Sequence, residues 1–152
     1  MKVSEMCSRG VVSVSESASL RDVAVLMGER HVGSVVVVAG GHSEKRRLMG
    51  IITDRDIVRA QLEHVADLSR LRVADVMTES PLTLSADEPM EEAVATLRAR
   101  GVRRAPVVNA LQELVGLVST DDLIAEVARQ VGTLAKLLQR QPVREGHRYP
   151  ER

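Results

Sequence analysis

The sequence predicts a two-layer α+β fold in which one structural unit occurs twice, and three observations lead to this prediction. The chain of 152 residues matches itself when it is shifted by about 70 positions. Apolar residues recur at helical spacing at the same place in both copies. In each copy, two β-branched runs follow that helix, which is the pattern of paired strands.

The internal repeat is visible residue by residue. The shift superimposes identical residues: Val3 on Val73, Ser15 on Ser85, Arg30 on Arg100, Val32 on Val102, Val37 on Val107 and Val38 on Val108. Gly50 aligns with Gly116 once the first copy is given four extra residues. The polar, glycine-rich stretch "AGGHSEKRR" accommodates them as a loop.

Each copy contains an amphipathic helix after its first strand. The apolar positions recur with the spacing i, i+3, i+4 and i+7: Leu20, Val23, Ala24 and Met27 in the first copy, and Met90, Ala93, Val94 and Leu97 in the second. One face of each helix is therefore expected to pack against a sheet.

Two strands and a second helix complete each copy. The runs "VGSVVVV" and "VRRAPVV" are each followed by a turn and then by "LMGIIT" or "LVGLVS", which predicts an antiparallel pair. A second helix starts directly afterwards, so each unit reads strand, helix, strand, strand, helix. A unit of about 60 residues buries too little surface to be stable alone. We expect the two units to pack through their sheets with pseudo-twofold symmetry.

The pattern also predicts where the parts of the chain begin and end. We expect the first repeat at residues 1–62, a linker at 63–72 and the second repeat at 73–130. A helical extension is expected at 131–141, stopping before Pro142, and a disordered tail at 142–152. The apolar stripe of the extension packs either on its own module or on a partner chain.

Composition excludes several classes of function. Lysine plus arginine (21) balance aspartate plus glutamate (21), and the only aromatic residue is one tyrosine, which argues against nucleic-acid and membrane partners. The chain has one cysteine and no histidine pair at ligand spacing, so no disulfide framework or metal site is expected. No signal peptide and no catalytic constellation are seen. We expect a cytoplasmic protein that is not an enzyme.

Both copies carry a hydroxyl residue and an aspartate at the strand-to-helix corner. Thr53 and Asp56 have the spacing S/T-x-x-D, and so do Ser119 and Asp122. One interpretation is a helix capping box, which only stabilises the helix start. The other is a ligand site, in which unpaired helix amides, the hydroxyl and Arg55 bind phosphate and the aspartate accepts from ribose hydroxyls.

The repeat with "GIITDRD" and "GLVSTDD", and with "GVRRAPVV" before the second, resembles a tandem pair of CBS domains, the Bateman module. The resemblance covers roughly residues 3 to 130. It implies two clefts between the paired sheets that bind adenosyl ligands such as AMP, ADP, ATP, NAD or S-adenosylmethionine as effectors. It also implies a homodimer.

The resemblance further implies which residues form the clefts. Asp56 and Asp122 match the ribose-binding aspartate, and Thr53 and Ser119 match the phosphate-facing hydroxyl. The variable positions between them are Asp54 and Arg55, and Thr120 and Asp121. The strand bordering the adenine matches Gly33, Ser34, Val35 and Val36, and in the second repeat Arg103, Arg104, Ala105 and Pro106. The first strand, which closes the cleft, matches Ser13 and Val14, and Thr83 and Leu84.

The two copies differ at positions that matter for binding. The second copy has Asp121 where the first has Arg55, and a carboxylate beside a phosphate is unfavourable unless Arg103 or Arg104 offsets it. We therefore expect the site with Arg55 to bind phosphorylated ligands more tightly.

These observations predict a regulatory module that binds an adenine nucleotide and signals to an effector protein, or within its oligomer, by a conformational change. The alternative is a structural interaction module whose clefts are empty and whose aspartates only cap helices.

Overall fold

The fold follows the repeated order of elements that the sequence predicts. The computed structural model describes residues 1–40, 46–64 and 67–145, the last six of these by their backbone alone. The helices are α1 (Val3–Met6), α2 (Leu20–Arg30), α3 (Asp54–His64), α4 (Met90–Arg100) and α5 (Thr120–Glu145). The strands are β1 (Ser13–Ser15), β2 (Ser34–Val38), β3 (Leu48–Thr53), β4 (Thr78–Glu79), β5 (Leu84–Ser85), β6 (Arg104–Val108) and β7 (Leu114–Ser119).

The strands form two sheets, one for each repeat. The first sheet has the order β1-β2-β3-β4, and the second has the order β5-β6-β7. Strand β1 is parallel to β2 and β5 is parallel to β6, because a helix connects each of these pairs. Strands β2 and β3 are antiparallel, as the sequence predicts. The mixed α+β class is confirmed.

The first sheet buries a purely aliphatic core against α2 and α3. Val35, Val37 and Ile52 of the strands are completely buried, and they lie in one cluster with residues of the two helices. Leu20, Val23 and Met27 of α2 occupy the predicted helix stripe, and all are buried. The equivalent positions Met90, Ala93 and Leu97 of α4 are buried too. At the fourth predicted position the stripe is wrong for α4, where Val94 is 44% exposed, and Ala24 of α2 is half-buried.

Each repeat is completed by a short segment that comes from the start of the other repeat. Residues 1–8 bind the second repeat through backbone bonds, including Val3 N to Glu88 O (3.1 Å) and a reciprocal pair between Ser8 and Leu117. Residues 73–79 bind the first repeat in the same way: Val73 N donates to Ala18 O (2.9 Å), and β4 pairs with β3. The apolar pattern of the sequence does not predict these crossing segments.

Gly50 and Gly116 let the crossing segments pass close to the strands. A Cβ atom at Gly50 would lie 2.7 Å from both the Met77 sulfur and the Thr78 carbonyl oxygen. A Cβ atom at Gly116 would lie 2.5 Å from the Cys7 sulfur. The repeated glycine of the motif is therefore explained by backbone packing, because only glycine leaves room for the segment.

Helix α5 is longer than the sequence predicts. We expected it to stop before Pro142, but it continues through Pro142 to Glu145, although a proline nitrogen cannot donate the hydrogen bond of that turn. The chain divides into two compact units, residues 1–118 and the part from residue 119 on. Residues 41–45 of the expected loop, and residues 146–152 of the expected tail, lie outside the described residues. In the described part of the chain, no helix is long and apolar enough to cross a membrane.

Replacing Gly50 or Gly116 by alanine should destabilise the protein by about 1–3 kcal/mol, because the new methyl group displaces the crossing segment. The measurement is the free energy of unfolding from urea denaturation. Gly28→Ala is the matched control: nothing lies within 4 Å of its Cβ position in helix α2, so helix propensity should raise stability by about 0.5–1 kcal/mol. Equal effects of the three substitutions would contradict the close packing.

Candidate functional site

The first strand-to-helix corner brings four of the predicted site residues together. Ser34 at the start of β2 pairs with Thr53 at the end of β3. The Asp54 amide donates to the Gly33 carbonyl oxygen (3.1 Å), which fixes the first residue of α3 beside the start of β2. The register of one antiparallel pair therefore places Gly33, Ser34, Thr53 and Asp54 at one edge of the sheet.

Thr53 and Asp56 form the reciprocal bonds of a capping box. The backbone amide and the hydroxyl of Thr53 both donate to Asp56 Oδ2 at 2.9 Å. The Asp56 amide in turn donates to Thr53 Oγ1 at 3.3 Å. The capping interpretation is thus correct for the local structure. It leaves the second carboxylate oxygen, Oδ1, without a hydrogen bond to any residue in the described ranges.

The helix start does not offer the unpaired amides that the ligand interpretation assumed. The Asp54 amide is bound to Gly33, the Asp56 amide is bound to Thr53, and the Arg55 amide donates to Asp54 Oδ1 at 2.8 Å. The Thr53 hydroxyl also donates its hydrogen bond to Asp56. What this corner presents to a ligand is one carboxylate oxygen of Asp56 and the exposed side chain of Arg55.

Arg104 of the second repeat reaches the first corner. The Nη1 atom of Arg104 donates to Ser34 Oγ (3.4 Å), although the backbone of Arg104 belongs to β6 of the second repeat. A Cβ atom at Gly33 would lie 3.6 Å from this Nη1 and 3.3 Å from Asp54 Oδ2, so glycine keeps the space between the two charged groups open. The resemblance assigned Arg104 to the second cleft. The structure places its guanidinium group beside the first.

This position of Arg104 follows from the symmetry of the repeats. Ser34 and Arg104 are equivalent residues under the 70-position shift, and equivalent residues meet where two repeats face each other. Arg47 and Glu113 form a second such pair, joined as an isolated β-bridge. The repeat alignment contained this signal, but we read the positions of the two copies as two separate sites.

The other strand residues of the first site are arranged in register but are mostly buried. Ser13 lies beside Val36, and Val14 lies beside Val37, in the parallel pair. Val35 and Val36 have 0% and 1% of their surface exposed, whereas Ser13 and Val14 are half-buried. Because the side chains of Val35 and Val36 are buried, only the backbone of this segment is available to border a base.

The second corner repeats the cap with one bond fewer. The Ser119 hydroxyl donates to Asp122 Oδ2 (2.5 Å), and the Asp122 amide donates to Ser119 Oγ (3.2 Å). Thr120 and Asp121 open helix α5 beside them. The other predicted residues of this site lie in the first unit: Thr83, Leu84, Arg103, Arg104, Ala105 and Pro106. Among them, Leu84, Ala105 and Pro106 are buried, and both arginines are exposed.

Cys7 lies in the first crossing segment. Its thiol contacts the Ser4 carbonyl oxygen (3.7 Å) and faces Gly116. Burial raises the pKa of this thiol above its usual value. In the ranges that the structure describes, no group of three histidine, cysteine, aspartate or glutamate side chains is placed to hold a metal ion.

Comparison with known families identifies the repeat. The CBS domain family matches residues 3–63 and residues 73–129. The chain belongs to the CBS domain family. The two matched stretches correspond to the two repeats, and the observed elements agree with the resemblance drawn from the motifs.

Two curated relatives show how this CBS pair occurs elsewhere. An uncharacterized protein of Methanopyrus kandleri is 30% identical over 134 residues, which are 88% of the chain and 66% of that protein. The inosine-5'-monophosphate dehydrogenase of Korarchaeum cryptofilum is 31% identical over 115 residues. That match spans 76% of the chain but only 22% of the dehydrogenase, so the similarity covers a minor part of the larger enzyme.

Two solved structures are similar in fold and contain nucleotides. A CBS domain protein from Pyrobaculum aerophilum in complex with AMP is 32% identical, with a TM-score of 0.70 over 81% of this chain and 90% of that one. The cytosolic domain of the Mg²⁺ channel MgtE in complex with ATP is 26% identical, with a TM-score of 0.68 over 82% of this chain and 48% of that one.

The capping bonds predict the cost of removing each aspartate. Asp56→Ala deletes the acceptor of two hydrogen bonds and should destabilise the protein by about 1–2 kcal/mol. Asp22→Ala, in the cap of helix α2, deletes the acceptor of one bond from the Ser19 hydroxyl (2.8 Å) and should cost about 0.5–1 kcal/mol, as should Asp122→Ala. Urea denaturation gives the three values. No loss of stability in Asp56→Ala would show that the cap does not hold in solution.

Proposed function

We propose that this CBS pair is a regulatory module that binds an adenine nucleotide, and that AMP binds at the corner formed by Thr53, Asp56 and Arg104. The observation that carries the proposal is the arrangement at Asp56, where one oxygen holds the cap and the other has no partner in the described ranges. The AMP-bound relative, 32% identical over 81% of this chain, supports the choice of ligand.

Each part of AMP has a chemically matched group at this corner. The Oδ1 atom of Asp56 accepts a hydrogen bond from a ribose hydroxyl while Oδ2 keeps the helix start in place. Arg55 and Arg104 bind the phosphate through their guanidinium groups. Backbone groups near Gly33 border the base, because the adjacent valine side chains are buried.

The charge at the corner favours a ligand with one phosphate. Two carboxylates, Asp54 and Asp56, stand near two guanidinium groups, Arg55 and Arg104, so the local formal charge is balanced before the ligand binds. Each added phosphate meets the repulsion of Asp54 without a further cation among these residues. We therefore expect AMP to bind more tightly than ADP or ATP.

Binding at this corner would act on both repeats at once. Asp56 and Arg55 belong to the first repeat, whereas Arg104 belongs to the second and already bonds to Ser34. A phosphate that draws Arg104 toward Arg55 favours one arrangement of the repeats, and such differential affinity is what a ligand needs to shift a conformational equilibrium. The signal would pass to an effector protein or through a homodimer. The role is regulatory rather than catalytic.

A structural interaction module is the second candidate. The bonds between Thr53 and Asp56 favour it, because they account for the motif without any ligand. In that case the aspartates contribute stability alone, and no nucleotide changes the thermal unfolding of the protein. The two candidates therefore differ in a property that is directly measured.

A thermal melt with AMP separates the two candidates. At a hundredfold excess over its dissociation constant, AMP should stabilise the folded state by about 2.7 kcal/mol. For a chain of this size the unfolding midpoint should rise by about 5–10 °C. ADP, ATP, NAD, NADH and S-adenosylmethionine serve as comparison ligands. The absence of a shift with all of them would leave the structural module as the better account.

Substitutions in two helix caps of the same type, at Asp56 and at Asp22, test where AMP binds. Asp56→Ala should abolish the AMP shift, whereas Asp22→Ala loses a helix cap far along the sequence from the corner and should retain the full shift. Arg104→Ala should weaken AMP binding about tenfold or more, because a charge-assisted bond to phosphate is lost. Equal AMP affinity in Asp56→Ala and Asp22→Ala would contradict the site. Loss of binding in Asp122→Ala alone would move it to the second repeat.

A further inference from the structure

Gly33 leaves an opening between a carboxylate of the first repeat and a guanidinium group of the second. The point where a Cβ atom of residue 33 would stand lies 3.3 Å from Asp54 Oδ2 and 3.6 Å from Arg104 Nη1. Both atoms therefore face the same small space, and the absence of a side chain at Gly33 keeps that space open. Opposite charges at this separation attract each other, and here the attraction acts between the two repeats.

The Asp54 carboxylate is held in this direction by its own helix. Its Oδ1 atom accepts a hydrogen bond from the Arg55 amide at 2.8 Å, so Oδ2 is the oxygen that faces Arg104. The Asp54 amide donates to the Gly33 carbonyl oxygen (3.1 Å), which fixes the backbone at the same place. The carboxylate is thus positioned toward the guanidinium group before any ligand binds.

Arg104 has a second anchor in the first repeat. Its Nη1 atom donates to Ser34 Oγ (3.4 Å), and Ser34 is a buried residue with 7% of its surface exposed. A buried hydroxyl group favours a hydrogen-bond partner, so this bond also holds the arginine at the first corner. A phosphate that recruits Arg104 must therefore compete with two groups of the protein that already attract it.

We propose that Asp54 is an internal competitor of the ligand: in the empty site it attracts Arg104, and a phosphate group has to replace it. This inference rests on the proposed binding of AMP at this corner. When phosphate takes the place of the carboxylate as the partner of Arg104, the interaction between the repeats changes in the same step. Asp54 lowers the affinity for AMP, and in return it couples the arrival of the ligand to the relative position of the repeats.

The second corner does not repeat this arrangement. Thr120 stands at the position equivalent to Asp54, and Arg103 stands at the position equivalent to Gly33. The carboxylate is replaced by a hydroxyl group, and the glycine that leaves the opening is replaced by a long side chain. The competition is therefore specific to the first corner.

Titration calorimetry of AMP with the full chain tests the competition. Asp54→Asn keeps an oxygen for the Arg55 amide but removes the charge. Because the side chains of Asp54 and Arg104 are both exposed, solvent screens their attraction, and AMP should bind this variant about three- to fivefold more tightly than the wild type. Adenosine, which lacks the phosphate, should bind both proteins equally. Glu91→Gln is the matched control: it removes an exposed carboxylate from the first turn of α4 and should change the AMP affinity less than about 1.5-fold.

An Arg104→Gln background separates competition from simple repulsion of the phosphate. If Asp54 acts through Arg104, then Asp54→Asn should give no further gain in AMP affinity once the arginine is replaced. Without ligand, the unfolding midpoint of the double variant should differ by about 1–3 °C from the sum of the two single effects, because each substitution removes the same attraction.

Four results would each overturn the competition while leaving AMP binding in place. These are an unchanged AMP affinity in Asp54→Asn, an equal gain for adenosine, a gain that persists in the Arg104→Gln background, and unfolding midpoints that are additive. If AMP binds neither the wild type nor Asp54→Asn, the proposed function fails and the competition fails with it. The additivity of the midpoints is measured without ligand, so the two kinds of failure are distinguishable.

Discussion

The structure depends on the exchange of short segments between its two repeats. Residues 1–8 complete the second sheet region, and residues 73–79 complete the first, through backbone hydrogen bonds. These bonds form only because Gly50 and Gly116 have no side chain at the points of closest approach. A repeat of about 60 residues lacks the core to be stable by itself. Each repeat here is completed by a segment from the start of the other. Each repeat therefore contributes to the stability of the other.

The same architecture explains why the candidate site joins groups from both repeats. Strand register brings Ser34 beside Thr53, and the symmetry of the repeats brings Arg104 beside Ser34. A single repeat supplies the carboxylate that we propose binds ribose, but only one of the two cations. A ligand bound at the proposed site would therefore depend on the relative position of the repeats, which is the physical requirement for a module that converts ligand occupancy into a change of shape.

The cap at Asp56 is compatible with the binding role that we propose for this residue. Its Oδ2 atom is held by the Thr53 amide and hydroxyl, which fixes the side chain and removes the entropy that a free carboxylate would lose on binding. Its Oδ1 atom is then presented in a defined direction. The cap in α2, between Ser19 and Asp22, has the same chemistry, which is why the motif alone does not identify a ligand site.

The sequence by itself determined the fold class, the repeat and most of the core positions of α2 and α4. Apolar periodicity is a local property, so the stripes of α2 and α4 and the β-branched strands could be read directly from spacing. The aspartate and hydroxyl pairs were also visible as spacing, and both proved to be helix caps. What the spacing could not show was which amides those caps already satisfy, since that depends on bonds such as Asp54 to Gly33.

Only the tertiary structure shows which repeat a side chain contacts when its partner is distant in the sequence. Arg104 lies 70 positions from Ser34, and its long side chain crosses to the other repeat because equivalent residues meet where the repeats face each other. The role of Gly50 and Gly116 was hidden for the same reason, because the segments that pass them are 27 and more than 100 residues away along the chain. Helix α5 also continues through Pro142 to Glu145, although a proline cannot donate the hydrogen bond of that turn. Contacts between residues far apart in sequence leave no periodic signal, so the fold alone reveals them.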